Sequence, residues 1–156
     1  MTAEFWQDFC AAHGLDGPMP PVTCFGDTPQ MQTDLAQLVC SGRKRATASL
    51  ARWYEEDETR PAPGDLSIFV DGTGTPLGVI RTTFVHIAPF HTADAPFAAA
   101  EGEGDGSLAY WVAEHIAFFT RELTAIGLAF STDMDVVFER FELVGAAPVP
   151  VGQPVG

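Results

Sequence analysis

Positive charge is what this chain has least of. Only 8 of its 156 residues are lysine or arginine, against 21 aspartates and glutamates, so the net charge is -13. Such a surface repels a phosphate backbone at long range and excludes general duplex binding, DNA included. Cysteine is also sparse. Cys10, Cys24 and Cys40 are odd in number, far apart and form no C-x-x-C pair. That pattern fits neither a disulfide framework nor a zinc site, and points to a reducing compartment. Long hydrophobic runs are missing too. Met1 to Glu4 carry no positive n-region, and Gln7 and Asp8 interrupt the apolar positions that follow. Neither a signal peptide nor a membrane span is expected, and the cytoplasm is the expected location.

What is present is the composition of a packed globule: 46% hydrophobic residues, with twelve Phe and three Trp. A chain of this length builds one core without disulfides or structural metal. Phe5, Trp6 and Phe9 recur at helical spacing before Gly14, predicting an N-terminal helix followed by a Pro-rich linker to residue 24. Thr28 is a candidate cap and Pro29 a first-turn residue for a second helix. Its stripe is Met31, Leu35, Leu38 and Val39, and Gly42 ends it. Ser49 to Glu56 is read as a short helical piece. Leu66 to Val70 and Gly78 to Ile87 read as strands, joined by the hairpin turn Asp71-Gly72-Thr73-Gly74. The glycines of that region open no helix, which rules out a dinucleotide fingerprint. A brief helix over Pro96 to Ala100 precedes an alternating acidic and glycine run. Ser107 then caps a long helix striped by Leu108, Trp111, Val112, His115, Phe118 and Phe119. Asp135 to Val144 is the last strand, and residues 145–156 read as an unstructured tail.

Two segments carry chemistry. In Gly42 to Ser49, Lys44 is the only lysine, beside seven arginines, and Arg43 and Arg45 flank it as a small positive island for a phosphate or carboxylate. Burial lowers a lysine pKa and can free its amine to act as a base, which arginine cannot do. If the segment turns, Lys44 and Thr47 share one side, and the amine can make Thr47 a nucleophile. As a strand, the two point to opposite faces. The plainer alternative has Lys44 neutralising the end of the second helix. In the other segment, Glu101, Glu103 and Asp105 are each followed by glycine. Mutual repulsion raises the pKa of at least one, so the run could supply an acid or base, orient a lysine, or hold a divalent cation. The alternative is a solvated loop whose charge favours the helix that follows it. His115 sits on an apolar stripe, as a hydrogen-bonded interior histidine does, and Ser131 precedes the last strand as a cleft or turn residue.

Taken together, these motifs resemble the ASC-1 homology (ASCH) family over roughly Phe25 to Val144. The resemblance rests on Phe25-Gly26-Asp27, on Gly42-x-Lys44-x-Ala46-Thr47-x-Ser49-Leu50 with Tyr54, and on Pro63-Gly64-Asp65. It continues through Glu101-Gly102-Glu103-Gly104-Asp105-x-Ser107-Leu108 with Trp111, His115, Phe118 and Phe119, then Phe130-Ser131 and Glu139-x-Phe141. It implies an α+β, PUA-like fold, a small mixed β-barrel flanked by helices, in which residues 25–144 are the domain. It also implies hydrolysis of a nucleoside-like amide of the acetylated cytidine type, with Lys44, Thr47 and Glu103 as catalytic residues. Arg43, Arg45, Ser49, Tyr54, Glu101, Asp105 and Ser131 are then expected around the ligand. The alternatives are a module binding single-stranded RNA or a modified base, and a ribonuclease assisted by a divalent cation. The hydrolase needs no cofactor. The partner is a small nucleoside-like ligand or short single-stranded RNA, and the choice between monomer and homodimer stays open.

Overall fold

The computed structural model describes residues 2–55 and 60–147. Four helices, α1 (Thr2–His13), α2 (Pro29–Cys40), α3 (Ala95–Glu101) and α4 (Leu108–Thr124), surround five strands: β1 (Val22–Thr23), β2 (Ala46–Leu50), β3 (Leu66–Val70), β4 (Pro76–Pro89) and β5 (Asp135–Ala146). The strand order is β1-β3-β4-β5-β2. β1 runs parallel to β3 and the other pairs are antiparallel, so the sheet is mixed. The α+β class stands, but this order leaves β1 and β2 as edges and does not close the expected barrel.

The caps anticipated from sequence form. Thr28 Oγ1 accepts from Met31 N with Pro29 in the first turn, and Ser107 Oγ accepts from Tyr110 N. The Asp71 to Gly74 turn closes with Gly74 N donating to Asp71 O. α1 and α2 then cover opposite faces of the β3–β4 pair. Trp6 and Phe9 meet Ile68 and Val79, while Leu35, Ala36 and Val39 meet Phe69 and Ile80. Adjacent strand residues point to opposite faces, so neighbouring positions in the two strands recruit different helices. The first 24 residues therefore belong to the body of the fold, through α1 and through β1. A third core joins β2, β5 and α4 through Leu50, Val136, Phe138, Trp111 and Phe119. Among the described residues no helix is long and apolar enough to cross a membrane.

Boundaries differ from the sequence reading, most of all at β2 and β5. Ser49 and Leu50 end strand β2, and only Ala51–Tyr54 forms a 3₁₀ turn; Glu56 lies outside the described residues. Ala46 and Leu50 are buried while Thr47 and Ser49 are half-buried. Five residues with two inward apolar positions are too few to separate a strand from a helix start. At the other end Gly145 and Ala146 complete β5, because Gly145 pairs with Val79 and Ala146 with Gly78. Residues 148–156 of the expected tail lie outside the described residues.

Candidate functional site

Chain reversal after α2 carries Lys44 inward. Arg43 N and Lys44 N both donate to Leu38 O, and Arg45 N donates to Ala100 O. These bonds fix the segment between α2 and α3, with Lys44 only 2% exposed. A buried ammonium is tolerated only when paired and hydrogen-bonded. Lys44 Nζ donates to Glu101 Oε1 at 2.8 Å, to Ala46 O at 2.8 Å and to Glu103 Oε1 at 3.5 Å. Burial would lower its pKa, but Glu101 and Glu103 override that and raise it. Its three protons each face an acceptor, an arrangement that favours the ammonium over the free amine that the sequence allowed.

Glu101, at the end of α3, is 1% exposed. Its second oxygen accepts from Trp111 Nε1 and faces His115 Nε2 at 3.2 Å. His115 Nδ1 lies 2.9 Å from Trp111 O, a carbonyl that can only accept. Both ring nitrogens thus face acceptors, which only the imidazolium satisfies. Burial opposes that charge, yet Glu101 beside it raises the His115 pKa. Burial would likewise raise the Glu101 carboxyl, but Lys44 and His115 hold it down to about 2. Glu101 is the anchor of the site. Glu103 is the carboxylate that reaches the cleft, and burial followed by the Glu101 charge pushes its pKa up despite Lys44.

Glycine places these two carboxylates. Gly102, between them, ends α3 at φ +65°, and an added Cβ would collide with the Arg43 carbonyl. The left-handed turn sends Glu101 inward and Glu103 along the cleft, a path that a side chain at position 102 would obstruct.

Lys44, Glu101 and Glu103 line a cavity of about 240 Å³ with Thr47, Ser49 and Tyr54. Ser49 Oγ and Tyr54 Oη are 3.1 Å apart. The wall also holds Phe25, Phe118, Glu114, Glu122 and Glu139. Sequence reading brought six of its site residues to this cavity and missed Glu139, although the Glu139-x-Phe141 motif was visible. Thr47 and Lys44 both line the cavity, but their side chains are not hydrogen-bonded to each other.

Four expected residues lie elsewhere. Arg43 is exposed and donates to Gly104 O, which ties down the glycine loop, and Arg45 is exposed on the way into β2. Asp105 is exposed and accepts from Ser107 N ahead of α4. Ser131 is exposed in a turn, accepting from Asp133 N. None of the four lines the cleft. The positive island is thus divided: two arginines face solvent and the lysine is buried beside Glu101 and Glu103.

Glu101, Glu103 and His115 each offer a ligand atom within 4.8 Å of the others. A cation there would compete with Lys44 for both carboxylates and would have to displace a proton from His115. The donor set is already committed to those internal cations. A second, larger cavity of about 840 Å³ adjoins the first. It shares Thr23, Phe25, Thr47, Tyr54 and Glu139 with it and extends to the Pro18–Val22 linker.

The fold and site together define a small α+β domain in which a sole lysine, buried against two glutamates, backs a cleft edged by a strand threonine. The family model for the ASCH domain matches residues 21–145, and the chain belongs to that family. A crystallised protein from Enterococcus faecalis V583, assigned to the DUF984 family, is 43% identical. Its TM-score is 0.84, with 93% of this chain and 88% of that one covered. An ASCH domain from Lactobacillus crispatus JV V101 is 31% identical, with a TM-score of 0.83 and coverage of 92% and 93%. No curated protein matches the chain.

Proposed function

We propose that this ASCH domain hydrolyses the amide of a small, uncharged nucleoside of the N4-acetylcytidine type. The observation carrying this reading is the combination of a hydroxyl and a cation in one small cleft: Thr47 and Lys44 line it together, with Glu103 beside Lys44 in the same wall. Thr47 attacks the acyl carbon, the Lys44 ammonium supplies a positive field for the oxyanion, and Glu103 supplies a proton to the leaving amine. Its raised pKa suits Glu103 to the acid role, since more of it is protonated near neutrality.

Charge selects among ligands. Among the described lining residues Lys44 is the only lysine or arginine, against Glu101, Glu103, Glu114, Glu122 and Glu139. Such a wall repels phosphate and accepts a neutral base and sugar, with Phe25, Phe118 and Tyr54 as flat surfaces. The readings as an RNA-binding module or a cation-assisted ribonuclease have less support, because Arg43 and Arg45 stand outside the cleft and the acidic ligands already hold Lys44.

The test is steady-state turnover of N4-acetylcytidine and its 5′-monophosphate by wild type and Thr47→Ala. Release of cytidine and acetate is expected, with the monophosphate at least tenfold poorer in kcat/KM and Thr47→Ala inactive but folded. Unchanged turnover by Thr47→Ala, or preference for the phosphorylated substrate, contradicts the reading.

A further inference from the structure

With Lys44 held as an ammonium, a threonine nucleophile still needs a proton acceptor, and the sheet register supplies one. In the antiparallel β2–β5 pair, Thr47 stands directly opposite Glu139. Residues so paired project from the same face with Cβ atoms about 4.5–5.5 Å apart, within reach of a side-chain hydrogen bond after a rotamer change. Both line both cavities, so the pair forms the shared rim where a reacting bond would lie.

The Glu139 carboxylate is also oriented. Thr82 Oγ1, on the neighbouring strand β4, donates to Glu139 Oε2 at 2.8 Å. That bond fixes one oxygen of a carboxylate that lines both cavities. The charged groups facing Glu139 are Asp65 before β3 and Lys44 before β2; Tyr54 and Arg60 line the same rim from the adjoining segments. Burial, reinforced by Asp65 and opposed by Thr82 and Lys44, raises its pKa and so makes it a stronger base than an ordinary carboxylate.

We infer that Glu139 is the general base that takes the Thr47 hydroxyl proton, an inference that rests on the amidohydrolase reading above. As the Thr47 oxygen bonds to the acyl carbon, its proton passes to Glu139. The C–N bond breaks with a proton from Glu103 to the departing amine. Water then attacks the acyl-threonine and gives its proton to the Glu103 carboxylate. Glu139 returns its proton to Thr47 as the ester C–O bond breaks, so acid, base and nucleophile are all restored.

Glu139→Gln keeps the side chain's shape and an oxygen for Thr82, and removes only the basic site. With N4-acetylcytidine, kcat is expected to fall about 100-fold or more while KM changes little, and the acid limb of the pH profile is expected to disappear. Glu139→Asp keeps a carboxylate one methylene further back, so it should retain the acid limb at reduced kcat, and it serves as the test if the glutamine variant does not fold. A second substrate separates this inference from the identity of the amide. 4-Nitrophenyl acetate should give a nitrophenolate burst with the acetyl group mapped to Thr47 by mass spectrometry in wild type, and none in Glu139→Gln. Loss of that burst, in an enzyme that ignores N4-acetylcytidine, overturns the substrate and leaves the base assigned. A burst and a kcat in Glu139→Gln within twofold of wild type, with the acid limb intact, overturn the assignment of Glu139 while the amidohydrolase reading stands.

Discussion

Lys44, Glu101 and His115 show how a single site is held by mutual neutralisation. Each is buried, and each would be costly to bury alone. Removing one charge therefore does more harm than losing its contact. Glu101→Gln leaves the Lys44 and His115 charges without their shared partner, and is expected to lower unfolding stability by about 3–5 kcal/mol in denaturant titration. A loss below about 1 kcal/mol would mean that Lys44 sheds its proton freely. At this scale the sequence was partly legible. Uniqueness singled out Lys44, and the glycine-spaced carboxylates marked Glu101 and Glu103. Their division of labour was not legible, because it depends on Trp111 and His115 reaching one oxygen of Glu101 from a different helix. Spacing along the chain likewise does not reveal that three acceptors converge on the Lys44 nitrogen, which favours its ammonium over the free amine.

At the scale of elements, the periodic segments were readable and the contacts between them were not. α2 and α4 announced themselves by apolar stripes with Thr28 and Ser107 as caps. β2 did not, since its small residues fit a helix start as well as a strand. That error mattered, because only the β2–β5 register sets Thr47 against Glu139, a pairing between distant parts of the chain. Asp105 and Ser131 were misplaced because acidic loops and pre-strand serines serve capping turns as readily as clefts, as their bonds to Ser107 N and Asp133 N show. The α3–α4 connection carries its own prediction. Gly102→Ala forces a side chain into the left-handed region and against the Arg43 carbonyl. A stability loss of about 1–2 kcal/mol is expected from the conformation. Turnover should fall further than that loss accounts for, since Glu103 is displaced. Wild-type kcat in a destabilised Gly102→Ala would detach Glu103 from the chemistry.

For the whole molecule, the acidic balance and the depth of the site set its behaviour with pH. Glu101 is held at about 2, below its ordinary 4.5, so its stabilisation is full above 4.5 and lost as pH falls toward 2. His115 is raised above its ordinary 6.5, so its contribution is full below 6.5 and lost as pH climbs through the raised value. Thermal unfolding followed across pH should therefore show a decline on both sides. His115→Gln should flatten the alkaline side and, because His115 helps to hold Glu101 down, make the acid-side decline shallower as well. An alkaline decline as steep in His115→Gln as in wild type would place its cause elsewhere. The class of fold was legible from the alternation of strands and helices and from the ASCH-like motifs, while the open sheet was not, because nothing local in β1 or β2 signals that each ends the sheet as an edge. Whether this architecture is a catalyst is decided most directly by rapid quenching of wild-type protein with N4-acetylcytidine, followed by peptide mass mapping. The account predicts a transient acetyl group on Thr47 that forms no more slowly than cytidine is released. Cytidine released with Thr47 unmodified at every time point would contradict it.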